Sequence, residues 1–105
     1  MAQRYILAPE AQQDLQEIRD YYLEKAGARV ARQALGEITH ALRFLAATPG
    51  AGHRREDLTD EPVKFWPVFA YLTVYDPDMR PIGIARVLHA SQDLETKFRH
   101  RPPRV

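Results

Sequence analysis

What most constrains this chain is a change in the period of its apolar residues. Ala11, Leu15, Ile18 and Tyr22 fall on one stripe at about 100° per residue, and Ala31, Ala34, Leu35, Ile38, Leu42 and Leu45 form a second. The first run opens with Pro9 and Glu10, both suited to a first helical turn, and closes at "KAG", where Gly27 fits the position after a helix. The second closes at "TPGAG". Two helices of roughly 16 to 19 residues on a short connection make a helical hairpin.

The rest reads as strands. "RYIL" (4–7) is short and apolar; "VKFW" (63–66), "FAYLTVYD" (69–76) and "IGIARVLH" (82–89) are rich in β-branched and aromatic residues, and "DPDMRP" joins the last two as a hairpin loop. Pro67 marks a bend or break between the first two of these runs. A short helix is expected from about Asp93 to Arg99, and "RPPRV" cannot continue it. The order β-α-α-β-β-β, with that terminal helix, predicts a single α+β domain over residues 1–105. The hairpin should cover one face of a small, mainly antiparallel sheet, with a basic, proline-containing tail from about 99 to 105.

Composition excludes several classes. There is no cysteine, hence no disulfide and no thiolate metal site. No run approaches the ~18 apolar residues of a membrane span, and "MAQRYILAPE" lacks the layout of a signal peptide. The cytoplasm is therefore the expected compartment, with no membrane partner. Net charge is +1, and positive residues cluster only locally, in "HRR" at 53–55 and in Lys97, Arg99, His100, Arg101 and Arg104. Phosphate binding is permitted but not demanded.

In the middle strand, alternation puts Ala70, Leu72 and Val74 on one face, expected under the helices, and Phe69, Tyr71, Thr73 and Tyr75 on the other. The second set suits ordinary aromatic packing, or a half-exposed recognition surface for a partner or stacked bases. The last strand is apolar on both faces and should be central, so alternation does not say which face Arg86 uses. A buried arginine needs a carboxylate or carbonyl partner, or it contacts a bound anion. His89 closes that strand as a packing residue or as one half of an acid–base pair; the nearest second group, Asp93, equally suits a helix cap. "GAGHRREDL" (50–58) reads either as a phosphate loop or as a loop where Arg54 or Arg55 pairs with Glu56, Asp57 or a sheet residue while Leu58 plugs the core. The chain has no Gly-x-Ser-x-Gly elbow, Walker loop or HExxH, and His40, His53, His89 and His100 lack metal-ligand spacing. No cofactor is expected.

The element order together with "PEAQQDLQEIRDYY", "TPGAGHRREDL", "FWPVFAYLTVYD" and "RVLHASQDLE" is similar to the RelE/ParE superfamily of bacterial toxins, over residues 4 to 98 and on its ParE-like side. These are the toxin halves of type II toxin–antitoxin pairs. RelE-like members cut messenger RNA on the ribosome with arginines and a C-terminal tyrosine or histidine; ParE-like members poison DNA gyrase. By strand register, Leu72, Gln92 and Phe98 stand where the nucleases carry two arginines and a tyrosine. Arg86 and His89 alone would have to move a proton and stabilise phosphorane charge. The resemblance therefore implies a gyrase-binding toxin rather than an enzyme. A ribosome-dependent endoribonuclease is the alternative, with Arg86 and His89 catalytic, and a non-toxic decayed member is a further one.

The resemblance also implies a cognate antitoxin that lays a helix and an extended segment over the hairpin and sheet, in a toxin–antitoxin hetero-oligomer. Tyr21 and Phe44 sit about 120° off their core stripes and, with Tyr71 and Tyr75, are the expected antitoxin contacts. Arg54, Arg55, Arg86, His89, Lys97, Arg99 and Arg101 are the expected target contacts. Ala8 stands where the family commonly has Ser or Thr, which should cost the first helix ~1 kcal/mol.

Overall fold

A computed structural model describes residues 4–91 of the chain. Strand β1 (Tyr5–Leu7) leads into α1 (Pro9–Ala26) and α2 (Ala28–Ala47), and a 3-10 turn at Pro49–Ala51 begins the crossing to β2 (Lys64–Val68), β3 (Tyr71–Asp76) and β4 (Ile82–His89). This is the expected α+β order. The expected helix over 93–99 and the tail beyond it lie outside the described residues.

Ala8 caps α1 with no side-chain hydrogen bond, as expected. Its own N–H donates to Ile84 O at 2.9 Å, tying the helix start to the sheet. A single residue, Gly27, ends α1 and begins α2. Its φ of +94° and ψ of 173° lie in a region essentially reserved for glycine, which is why the chain can reverse there without a longer loop. Gly36 is a different case. It lies exposed in the interior of α2 with nothing within 4 Å of where a Cβ would stand. Relative to alanine it costs that helix about 1 kcal/mol, with no return in packing inside the domain.

The four strands lie in the order β1-β4-β3-β2, with β1 parallel to β4 and the other pairs antiparallel. β4 is internal, as its two apolar faces predict. Pro67 does not break the chain between two strands. It sits inside β2, an edge strand, where a missing N–H is tolerated. The reversal instead falls at Phe69 and Ala70, between the paired Val68 and Tyr71, with Phe69 at φ +56°. His53 bridges the outer side of β2 by exchanging hydrogen bonds with Phe65 at 2.7 and 3.0 Å.

The faces of β3 are the reverse of those expected. Tyr71 and Tyr75 join Ile18, Ile38, Leu42 and Leu45 in the core between sheet and helices. Leu72 and Val74 pack on the opposite face with Val63, Phe65 and Leu58. Two observations explain the inversion. Leu58 and Val63, from the segment between α2 and β2, supply an apolar cover that Leu72 and Val74 can use. On the helix side the Tyr75 phenol finds partners: its hydroxyl donates to Pro49 O at 2.7 Å and accepts from Gly52 N–H at 2.9 Å. Gly52 has to be glycine, because a Cβ there would stand 2.6 Å from that hydroxyl and 2.9 Å from Phe65 O.

In β4, Ile82, Ile84 and Val87 all reach the helix-side core, although the step from 84 to 87 is odd. A register shift opposite Val74 and Tyr75, which pair with Arg86 and Ile84, leaves Ala85 as the extra residue of a bulge. That bulge changes the parity of the strand, so that Val87 faces the helices as Ile82 and Ile84 do.

Candidate functional site

Asp14 lies one helical turn from Ala11 and Ile18 on the buried side of α1. Arg86 donates to it through Nε at 2.7 Å and Nη2 at 2.8 Å, and the Val87 N–H adds a third bond at 2.9 Å. The two side chains are 8% and 16% exposed. The Asp14 carboxylate, by hydrogen bond first and charge second, holds the Arg86 proton more tightly than usual, against the opposing effect of burial. Arg86 thus uses the helix-covered side of the sheet, in a structural ion pair.

Beside this pair a cleft of about 400 Å³ opens between α1 and the end of β4. Glu17, Tyr21, Tyr22, Tyr71, His89 and Ser91 line it with the pair itself. Tyr21 stacks edge-on against Tyr22 at 5.2 Å, and Tyr71 against His89 at 5.2 Å. Burial, then a hydrogen bond with Tyr22, pushes the Tyr71 hydroxyl up to about 12. The Ser91 N–H donates to His89 Nδ1 at 3.1 Å. In the neutral ring that puts the proton on Nε2. The cleft therefore offers aromatic edges, hydroxyls and one imidazole beside an arginine already held by a carboxylate. That is an inventory for binding. Among the described residues no group of three or more His, Cys, Asp or Glu could hold a metal ion.

The remaining expected site residues are dispersed. Tyr21 is 53% exposed at the cleft and Phe44 is 41% exposed on α2, as their helical angles predict. Phe44 leans on Trp66 of β2, ring centres 5.3 Å apart, so the two aromatics have different neighbours. Tyr71 and Tyr75, expected on an open face, are 6% and 0% exposed; the inverted register buries them under the helices. Arg54 lies 3.6 Å from Glu56, and Arg55 makes a two-pronged bond to Asp57 at 3.0 and 2.8 Å. The loop is thus internally paired, and Leu58 packs into the second core cluster. Hydrogen bonding between them raises Arg55 and lowers Asp57 from their ordinary values. Lys97, Arg99 and Arg101 lie outside the described residues.

A second cavity, about 420 Å³ and more apolar, lies on the other side of the sheet, where Ile6, Val63, Met79 and Ala85 are among its walls. Asp14 and Glu17 are not among the residues that the sequence singles out, and Tyr22 is singled out only as part of the α1 stripe. A usable signal existed for Asp14: it is a carboxylate three residues after Ala11 and four before Ile18, on an otherwise apolar stripe.

A hairpin of two helices joined by one glycine, covering a four-stranded sheet and linked to it by a carboxylate–guanidinium pair, is the frame within which the comparisons fall. The family model described as "ParE toxin of type II toxin-antitoxin system, parDE" matches residues 5–94. The chain belongs to that family. It is 32% identical over 95 residues to "Toxin ParE1" of Mycobacterium tuberculosis, in both strain CDC 1551 / Oshkosh and strain ATCC 25618 / H37Rv, covering 90% of this chain and 97% of each relative. The fold is similar to that of a chain in a solved structure described as "Chromosomal ParDE TA system from P. aeruginosa". The TM-score is 0.72 at 21% identity, covering 86% of this chain and 98% of the other. Among the described residues no helix is long and apolar enough to cross a membrane.

Proposed function

We propose that this protein is a toxin that arrests growth by binding DNA gyrase in the cytoplasm and stabilising cleaved DNA, and that a cognate antitoxin neutralises it. Beyond family membership, the observation that carries this reading is the Arg86–Asp14 pair. Two prongs of the guanidinium are engaged by a buried carboxylate. An arginine held this way is a poor clamp for a phosphorane, which calls for donors aimed at the developing charge. Among the described residues His89 then stands without the free cationic partner that the endoribonuclease alternative needs. Binding surfaces remain: His89 at the cleft, Arg54 and Arg55 on the exposed loop, and Lys97, Arg99 and Arg101 beyond the described residues.

The antitoxin reading rests on Tyr21 and Phe44. A large exposed aromatic is a favourable anchor for a segment that orders on binding. Tyr21 sits at the mouth of a cleft large enough to take side chains, and a helix laid along α1 would cover it. Tyr71 contributes the floor of that cleft rather than a surface contact.

The experiment has two arms. Induced expression of the chain should slow bacterial growth and be relieved by the antitoxin, and the purified chain should inhibit gyrase supercoiling or trap cleaved plasmid. Ribosome-dependent cleavage of messenger RNA, abolished by His89→Ala in a folded protein, would transfer the assignment to the endoribonuclease alternative. Unimpaired growth at confirmed soluble expression would leave a non-toxic family member.

A further inference from the structure

The two helices of the hairpin carry opposite charge. α1 holds Glu10, Asp14, Glu17, Asp20 and Glu24 against Arg19 and Lys25. α2 holds Arg29, Arg32 and Arg43, with His40, against Glu37 alone. At 3.6 residues per turn, Arg29, Arg32, Gly36, His40 and Arg43 fall within an arc of about 80°, and all five are exposed. The arc lies roughly opposite the buried Ala31, Ile38, Leu42 and Leu45, and Glu37 is about 100° from its centre.

Three features set this stripe apart from an ordinary solvated face. Arg19, Arg54, Arg55 and Arg86 each have a carboxylate partner, whereas Arg29, Arg32 and Arg43, gathered on one helix face, have none among the described residues, as is also true of the scattered Arg4 and Arg80. The spacing is symmetric: Arg32 and His40 stand four residues either side of Gly36, and Arg29 and Arg43 seven. At the centre is the glycine whose absent side chain serves no packing inside the domain. An exposed helical glycine between two pairs of basic residues lets a rigid, charged backbone come up to the helix itself while the long side chains close round it.

We propose that this face of α2 is a docking surface for the phosphate backbone of duplex DNA, bound without sequence preference; the B-form major groove admits an exposed helix face, whereas the deep, narrow groove of an A-form RNA duplex does not. The stripe spans about 21 Å along the helix, long enough to meet several successive phosphates of one strand. Arginine suits that anion because its planar fork binds phosphate in a bidentate manner. A protein partner is the poorer fit: protein interfaces deplete charge at their centre and place an aromatic or aliphatic anchor there, and the centre of this stripe is a glycine. With a net charge of only +1 for the whole chain, the contact is modest and salt-sensitive. It does not rest on gyrase being the target, because the phosphates are met by α2 alone.

The test is a fluorescence-anisotropy titration of the full chain with a labelled 24-base-pair DNA duplex and, in parallel, an RNA duplex of the same length, at 50 to 200 mM KCl. Three arginine–phosphate contacts contribute about 2.7 to the slope of log K against log salt, or roughly a 40-fold loss of affinity across that range. Arg29→Gln/Arg32→Gln/Arg43→Gln should remove that much slope with an unchanged far-UV circular dichroism spectrum, while Arg19→Gln on α1 leaves it alone. Gly36→Leu should raise the thermal midpoint and yet weaken binding at least fivefold. A stripe-dependent slope on the DNA duplex supports the proposal, and a stripe-dependent slope on the RNA duplex alone overturns it. An unchanged slope in the triple variant overturns it, as do undiminished binding by Gly36→Leu, or poly-glutamate competing as well as DNA at equal charge.

Discussion

Replacing Asp14 by leucine strips a guanidinium in the domain of its counter-charge. Both side chains are more than four-fifths buried, so water cannot take the carboxylate's place. Three hydrogen bonds vanish together, two from Arg86 and one from the Val87 N–H. Removing one partner of a buried pair costs about 3–5 kcal/mol, and that figure already contains most of the penalty for the orphaned donors. Against a total of roughly 5–15 kcal/mol for a domain, the variant should lie at the edge of folding. Arg86→Leu should be comparably damaging, since it leaves the carboxylate buried with Val87 alone. The double variant Asp14→Leu/Arg86→Leu removes both charges and should recover most of the loss, because an apolar pair of similar volume often replaces a buried ion pair at little cost. The coupling energy should exceed about 2 kcal/mol. Urea unfolding followed by far-UV circular dichroism reads it, with midpoints compared at constant m. Additive effects, or single variants costing less than about 1 kcal/mol, would refute the reasoning. The double variant also separates two roles of Arg86: full toxicity in a folded double variant makes it purely structural, and lost toxicity makes it a contact.

Three further outcomes follow from the packing. Gly52→Ala places a Cβ 2.6 Å from the Tyr75 hydroxyl, and should cost about 1–3 kcal/mol of stability, read as a lowered urea midpoint. Thr73 is fully buried and its hydroxyl has no hydrogen-bond partner among the described residues; Thr73→Val should stabilise the domain by about 1 kcal/mol, raising the thermal midpoint by several degrees. Tyr71 is raised from 10.0 to about 12, so its contribution is complete below pH 10 and is lost as pH climbs from about 10 to about 12. That loss is at most about 2–3 kcal/mol at 1.36 kcal/mol per unit, and solvent in the cleft reduces it. Tyr71→Phe should lack it, and equal pH dependence of unfolding in the two proteins would show that Tyr71 ionises freely.

The local features of this chain were written in its sequence. Helix periodicity, Pro9 at the start of α1, Gly27 between the helices and the internal pairing of Arg54 and Arg55 each depend on residues within a few positions of one another, and such terms act the same in any fold. Exposure of Tyr21 and Phe44 followed from the same arithmetic. The site was half legible: Arg86 in a central strand announced a need for a carboxylate, and Asp14 on an apolar stripe announced a need for a cation. Nothing local joins residues 72 positions apart, and only the packing of α1 on β4 does so. The faces of β3 were likewise beyond the sequence. Alternation divides Tyr71, Thr73 and Tyr75 from Leu72 and Val74, but it does not say which set meets the helices. That was decided by Leu58 and Val63 covering one side, by partners for the Tyr75 hydroxyl on the other, and by a bulge at Ala85 that shifts the parity of β4. Each of these compares the burial energy of one whole face with that of the other, a comparison that exists only once distant segments are in contact.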